Sequence, residues 1–230
     1  MSWSTLPNDS APTMDWKSPP RLEWMDGGDD LSAVIHSQTE TFPDLLRESL
    51  DPLKLFGRDA PLHVDLGCGD GLFLSQLAQL HPEKNFLGVE KLASRVAKAC
   101  RKSAHLENVR ILKVESAYAV RYLLSEASVE AFYLLFPDPW PKRRHHRRRI
   151  VTHDFLDSIH RGLAAEGVFR IATDQSDYFQ HIQQLAQRHS AFAIVNLENA
   201  DLPISKFQRR FIELDVPIYR LSLRKISPVR

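Results

Sequence analysis

From about residue 60 onward, short apolar runs alternate with longer segments whose apolar residues recur every three or four positions, the pattern of strands interleaved with amphipathic helices. The strand candidates are Leu62–Leu66, Phe86–Glu90, Val109–Val114, Val129–Phe136 and Val168–Ala172. Helix candidates lie between them at Leu72–Leu80, Ala93–His105, Ala117–Ser125 and Asp154–Ala164, with Gln175–Arg188 after the fifth strand and Pro43–Leu53 before the first. This repetition predicts parallel strands joined by crossover helices. Two late runs, Phe192–Leu197 and Ile218–Leu223, have no comparably long helix between them and are expected to pair antiparallel and close the sheet. The expected fold is therefore α/β: a doubly wound, mostly parallel seven-stranded sheet with helices on both faces and an antiparallel C-terminal strand pair.

In such a sheet a ligand binds at the carboxyl ends of the strands, and the polar residues of the strand candidates gather there. The first strand runs into Asp65-Leu66-Gly67-Cys68-Gly69-Asp70-Gly71 and then into a helix, so its glycines allow a tight turn and close approach of a ligand to the backbone. An ordinary strand-to-helix turn is the competing reading of that motif alone. Glu90 ends the second strand, where an acid can hydrogen-bond ribose hydroxyls. The spacing Gly-x-Gly-x-Gly differs from the dinucleotide Gly-x-Gly-x-x-Gly, and Asp65 and Asp70 would repel a pyrophosphate. A cofactor whose reactive end is cationic and free of phosphate, such as S-adenosylmethionine, suits these acids better.

Charge changes the picture further. The formal net charge of +1 averages an acidic N-terminal stretch, with nine acids against three Lys or Arg in residues 1–50, against a basic run, 142–149, with six Lys or Arg and no acid. Lys142, Arg143, Arg144, Arg147, Arg148 and Arg149 of that run follow Phe136-Pro137-Asp138-Pro139-Trp140-Pro141 directly. Two prolines frame Asp138 and stiffen its turn, placing a carboxylate beside cations suited to the phosphates of a polyanion. His145 and His146, adjacent in sequence, suit RNA contact or loop packing better than a shared metal. Trp140 could stack on a base, but is read here as anchoring the loop in the core. From Lys206 onward seven further Lys or Arg face only Glu213 and Asp215, which is either a second basic surface or scattered solvated charge.

Residues 1–35 read as a flexible or partly ordered arm, rich in Pro, Ser and Asp, and 36–230 as a single domain. The arm has no basic start followed by an apolar stretch, so it does not read as a signal peptide, and no apolar run reaches membrane-spanning length. Cys68 and Cys100 lack metal-ligand spacing and are expected to be reduced thiols of a cytoplasmic protein.

The Val64–Gly71 segment and the Gly88-Val89-Glu90 strand end resemble the class I S-adenosylmethionine-dependent methyltransferases, a Rossmann-like superfamily. The segment from Phe136 to Arg149 is more specific and resembles the signature of the tRNA (guanine-N7)-methyltransferase family. Ala172-Thr173-Asp174 and Ser205-Lys206-Phe207-Gln208-Arg209-Arg210-Phe211 extend the likeness, which covers about residues 48–225. It implies methyl transfer from S-adenosylmethionine to N7 of a guanosine in the tRNA variable loop, without a metal or a membrane. By position it implies cofactor contacts from Asp65, Gly67, Gly69, Glu90 and Asp138. Asp138 would stand at the reaction centre, Lys142 and Asp174 at the substrate, and Ser205, Lys206, Phe207 and Gln208 in a further substrate-side loop.

This chain departs from the family at two places. Ser205-Lys206-Phe207-Gln208 stands where the family has Thr-Lys-Phe-Glu, losing a carboxylate, and Glu115-Ser116 stands where an Asp-Ala pair contacts the adenine end of the cofactor. Glu115 and Ser116 are both carried as cofactor contacts. A catalytically inactive RNA-binding protein and a nicotinamide oxidoreductase are the competing functional classes; Asp65, Glu90 and Asp138 oppose the first and the glycine spacing the second. A single acting chain, a homodimer and a pairing with a partner subunit are all compatible with the resemblance.

Overall fold

The computed structural model describes residues 50–197 and 202–226. The expected arm, 1–35, and residues 43–49 of the helix expected over Pro43–Leu53 lie outside the described residues; in the described part Leu50 bridges to Leu124 and Asp51 is extended, capping a helix that starts only at Pro52 and runs to Phe56. Seven strands, β1 (Leu62–Leu66), β2 (Asn85–Glu90), β3 (Val109–Lys113), β4 (Val129–Leu135), β5 (Leu163–Thr173), β6 (Phe192–Val195) and β7 (Tyr219–Lys225), form one sheet in the order β3-β2-β1-β4-β5-β7-β6. The first five pair parallel, and β7 inserts antiparallel between β5 and β6. Chain order reverses between β1 and β4, so the loops leaving their carboxyl ends flank the switch point.

The helices are α1 (Pro52–Phe56), α2 (Leu72–Leu80), α3 (Ala93–Ser103), α4 (Ser116–Tyr118), α5 (His153–Gly162), α6 (Ser176–Arg188) and α7 (Lys206–Glu213). Every residue of β1 and β2 is buried, as parallel strands covered on both faces require. One core joins Val64, Leu66, Phe132 and Phe169 to Leu156 and Ile159 of α5; the other joins Phe86 and Ile111 to Phe73, Leu77, Val96 and Cys100 of α2 and α3. Helix α3 buries Val96, Ala99, Cys100 and Ser103, the i, i+3, i+4, i+7 stripe of an amphipathic helix.

Several element bounds shift by a residue or two from the sequence expectation, and four further differences have a visible cause. The helix expected over Ala117–Ser125 is the single turn α4 followed by a π-helical turn, Ala119–Leu123, in which Leu124 N–H bonds Ala119 O at 3.0 Å. Arg161 of α5 holds the Val120 and Arg121 carbonyls at 2.9 and 2.6 Å, a tertiary contact that no local pattern announces. Strand β5 begins at Leu163 because that residue pairs with Val129, so α5 stops at Gly162 rather than Ala164. Strand β4 ends at Leu135, where Phe136 turns to φ 54°. Finally, the eight-residue α7 stands between β6 and β7, where no comparably long helix was expected. Its signal is Ser205-x-x-Gln208: the Ser205 hydroxyl accepts from Gln208 N–H at 3.2 Å as an N-cap.

Candidate active site

The turn after β1 is built on left-handed glycines, with φ 81°, 59° and 77° at Gly67, Gly69 and Gly71. A side chain at Gly71 would place Cβ 2.8 Å from Ala99, so this glycine lets α2 start hard against α3. A Cβ at Gly67 would meet nothing within 4 Å, so the turn is open at that point. Gly67 and Cys68 N–H groups both bond Val89 O, at 2.8 and 3.0 Å, and tie the turn to β2. Glu90, 4% exposed, accepts from Gly69 N–H at 3.2 Å and Leu92 N–H at 2.9 Å, with Arg95 at 3.7 Å.

Asp65 is 3% exposed. Burial, and then the neighbouring Glu90 carboxylate, push its pKa up to about 7. A pair of buried acids with one peripheral arginine is short of positive charge, and a cationic ligand would supply it. Asp70 is not part of that pair. Lys102 holds it at 2.6 Å, and although burial would raise its pKa, that ion pair keeps it below the usual carboxylate range. The thiols of Cys68 and Cys100 are buried and form no disulfide, and burial pushes both pKa values up, so neither is an activated nucleophile.

Asp138 lies in the loop after β4, exposed between Pro137 and Pro139. The loop begins with Phe136 N–H bonded to Ala172 O of β5 at 2.8 Å and the Phe136 ring against Phe207 and Phe211 of α7. Residues Arg143–Arg148 form a 3-10 helix whose cations Arg143, Arg144, Arg147 and Arg148 are exposed, as is Lys142. Arg149 differs from the rest of the basic run: it is 4% exposed, ion-paired to Asp177 and hydrogen-bonded to Pro139 O at 2.9 Å. The expected phosphate contact by Arg149 is therefore corrected, since its guanidinium is committed inside the protein. Trp140 is corrected too. It is half-buried and packs on its own loop, edge-on to His145 with Arg148 4.9 Å above its ring, outside both cores.

The remaining expected site residues sit at the same end of the sheet. Asp174, directly after β5, accepts from the Gln175 side chain at 2.5 Å. Glu115 and Ser116 follow β3, and the Glu115 carboxylate caps α4 by accepting from Tyr118 N–H at 2.8 Å. Lys206 and Phe207 are exposed in the first turn of α7. A cleft of about 660 Å³ opens between α7 and the start of α2, lined by Lys206, Arg209, Arg210, Glu213, Asp70 and Leu72. Sequence reasoning missed Asp177 and Tyr178, the partners of Arg149, because they join it only through the tertiary fold. Among the described residues, no group of three or more His, Cys, Asp or Glu could hold a metal ion, and no helix is long and apolar enough to cross a membrane.

A methyltransferase family model described as "Putative methyltransferase" matches residues 59–221. A tRNA (guanine-N(7)-)-methyltransferase of Leifsonia xyli subsp. xyli is 39% identical over 187 residues, covering 77% of this chain and 82% of that protein. A tRNA (guanine-N(7)-)-methyltransferase of Thermotoga maritima is 35% identical over 192 residues, covering 82% of this chain and 60% of that longer protein. A solved antibiotic-related methyltransferase superposes with a TM-score of 0.55 over 78% of this chain and 96% of its own, at 20% identity, which shows a shared fold. Sequence and sheet order thus agree, and the chain belongs to the tRNA (guanine-N7)-methyltransferase family.

Proposed function

We propose that this chain methylates N7 of a guanosine in the variable loop of tRNA, with S-adenosylmethionine as donor, in the cytoplasm. The observation that carries the reading is the juxtaposition at the switch point. The glycine turn with its buried acids leaves β1, and the loop with an exposed carboxylate and four exposed arginines leaves the adjacent β4. The cofactor supplies an electrophilic methyl on a sulfonium. The open face at Gly67 and Gly69 and the Asp65 carboxylate fit its cationic amino-acid end, and Glu90 fits its ribose hydroxyls. Ser116 is left to meet the adenine end together with backbone, since the Glu115 carboxylate is engaged in capping α4.

Guanine N7 carries an in-plane lone pair at neutral pH, so the chain has no proton to remove and its work is alignment. Asp138 holds the base and stabilises the positive charge that develops on the purine. Lys142 and the exposed arginines 143, 144, 147 and 148 meet the RNA backbone, while Asp174 and the Ser205–Gln208 turn bound the substrate side. The Ser205 hydroxyl accepts one bond in its cap and keeps its own proton to donate.

The test is transfer of labelled methyl to an unmodified tRNA transcript, beside a transcript with the variable-loop guanosine replaced. Wild-type protein is expected to label only the first, and Asp138→Ala to lose about 100-fold or more in kcat while keeping tRNA affinity. Equal labelling of both transcripts would move the target elsewhere, and no labelling of either would sink the reading.

A further inference from the structure

The loop that carries Asp138 is strained at both ends. Phe136 and Trp140, two residues on either side of Asp138, hold φ of 54° and 45°. Left-handed backbone is unfavourable for a bulky residue, and such geometry persists only where the surroundings over-determine it. The entry of the loop is held by the Phe136 N–H bond to Ala172 O and by the aromatic contacts with α7. At its centre, Arg149 Nε donates to Pro139 O at 2.9 Å. Pro139 stands between Asp138 and strained Trp140, and its carbonyl belongs to the peptide that leads into Trp140.

Arg149 is itself fixed from three directions. Its Nη2 meets the Asp177 carboxylate in the first turn of α6, and its guanidinium lies 4.6 Å from the ring centroid of Tyr178. The Tyr178 hydroxyl in turn accepts from Val151 N–H at 3.3 Å, two residues beyond Arg149. Tyr178 is fully buried, so the platform beneath the guanidinium belongs to the core. Burial is the largest single influence on the Asp177 carboxyl and pulls its pKa up, but the hydrogen bond and charge of Arg149, with the Tyr178 N–H, together hold it below the usual carboxylate range, so the acid stays paired. A lysine could satisfy Asp177 or Pro139 O but not both with a planar cation on Tyr178, because only the guanidinium offers that fork.

We propose that Arg149, with Asp177 and Tyr178, is a latch that positions Asp138 for methyl transfer, and not part of the RNA-binding surface of its own basic run. The inference rests on the proposed function for its kinetic consequence, but the latch is a structural device with a readout of its own. It ties the loop after β4 to the helix after β5, so the two loops expected to face the substrate, with Asp138 in one and Asp174 in the other, are held as one unit.

The test compares wild type with Arg149→Lys, Arg149→Ala and Asp177→Asn in the full chain, at temperatures well below each variant's Tm. Without RNA, amide hydrogen exchange in segment 136–149 is expected to quicken in all three variants while the β1–α2 turn stays as in wild type. With tRNA, Arg149→Lys is expected to lower kcat about 10- to 100-fold. Its tRNA affinity and the salt slope of binding are expected to match wild type, since no phosphate contact is lost. Free guanidinium at sub-denaturing concentration is expected to restore part of the turnover of Arg149→Ala and to leave wild type unchanged. Unchanged exchange, or a weaker and less salt-dependent tRNA affinity at unchanged kcat, would overturn the latch. If wild type itself fails to methylate tRNA, the functional reading falls and the exchange result alone decides the latch.

Discussion

Asp65 is 3% exposed, and that burial has an electrostatic cost, because desolvation and Glu90 together raise its pKa from 3.8 to about 7. The folded protein therefore binds the Asp65 proton more tightly than the unfolded chain. The sign follows: the stabilisation this proton confers is complete below about pH 4 and is lost as pH rises to about 7. The shift corresponds to up to roughly 4 kcal/mol. Asp65→Asn, which cannot ionise, is expected to lose less stability than wild type between pH 4 and 8, read as Tm across that range. The same variant should bind S-adenosylmethionine about tenfold or more weakly by calorimetry at pH 8, as it lacks the anion proposed to meet the cationic cofactor. Superimposable pH profiles for the two proteins would show that Asp65 is not the strained acid. Its position at a strand end could be read directly from the chain, whereas its protonation depends on Glu90 arriving from the next strand.

At the scale of elements, the basic run divides into a solvent-facing 3-10 turn and a buried terminus. Lys142 and the arginines 143, 144, 147 and 148 are exposed, while Arg149 is enclosed by the first turn of α6. Replacing Arg143, Arg144, Arg147 and Arg148 by glutamine is expected to weaken tRNA binding and flatten its dependence on salt, each lost phosphate contact removing about 0.7–0.9 from the log–log slope. Cofactor affinity should stay as in wild type; an unaltered salt slope would remove these arginines from the RNA surface. A run of like charges on one turn looks uniform in sequence, because nothing local marks which member meets a buried partner. The same limit explains the helix expected over Ala117–Ser125, where Arg161 of α5 holds carbonyls of the π-helical turn. Helix α7 is the opposite case: its Ser205 cap and Gln208 are local signals, yet no comparably long helix was expected there.

Across the whole molecule, β1, β2, β4 and most of β5 are buried under helices on both faces, while the edge strand β6 is short and Ile194 on it is exposed. Native-state hydrogen exchange is expected to be slowest in β1 and β4 and fastest, among strands, in β6, because exchange follows local burial and contact density. Uniform protection across the seven strands would contradict that gradient. The strand–helix alternation, the parallel direction of the first five strands, the antiparallel closure and the acids and glycines at strand ends were all legible in the sequence; the order of the strands in the sheet was not. They are encoded locally, by hydrophobic period, turn chemistry and the short reach of neighbouring residues. What only the tertiary structure decided is how residues distant in the chain share their charges and bonds: Asp65 with Glu90, Arg149 with Asp177 and Tyr178, Asp70 with Lys102. Those pairings set which carboxylates stay free for a ligand and which cation holds the Asp138 loop, because a side chain's role follows from the partner it finds, and partners are chosen by packing.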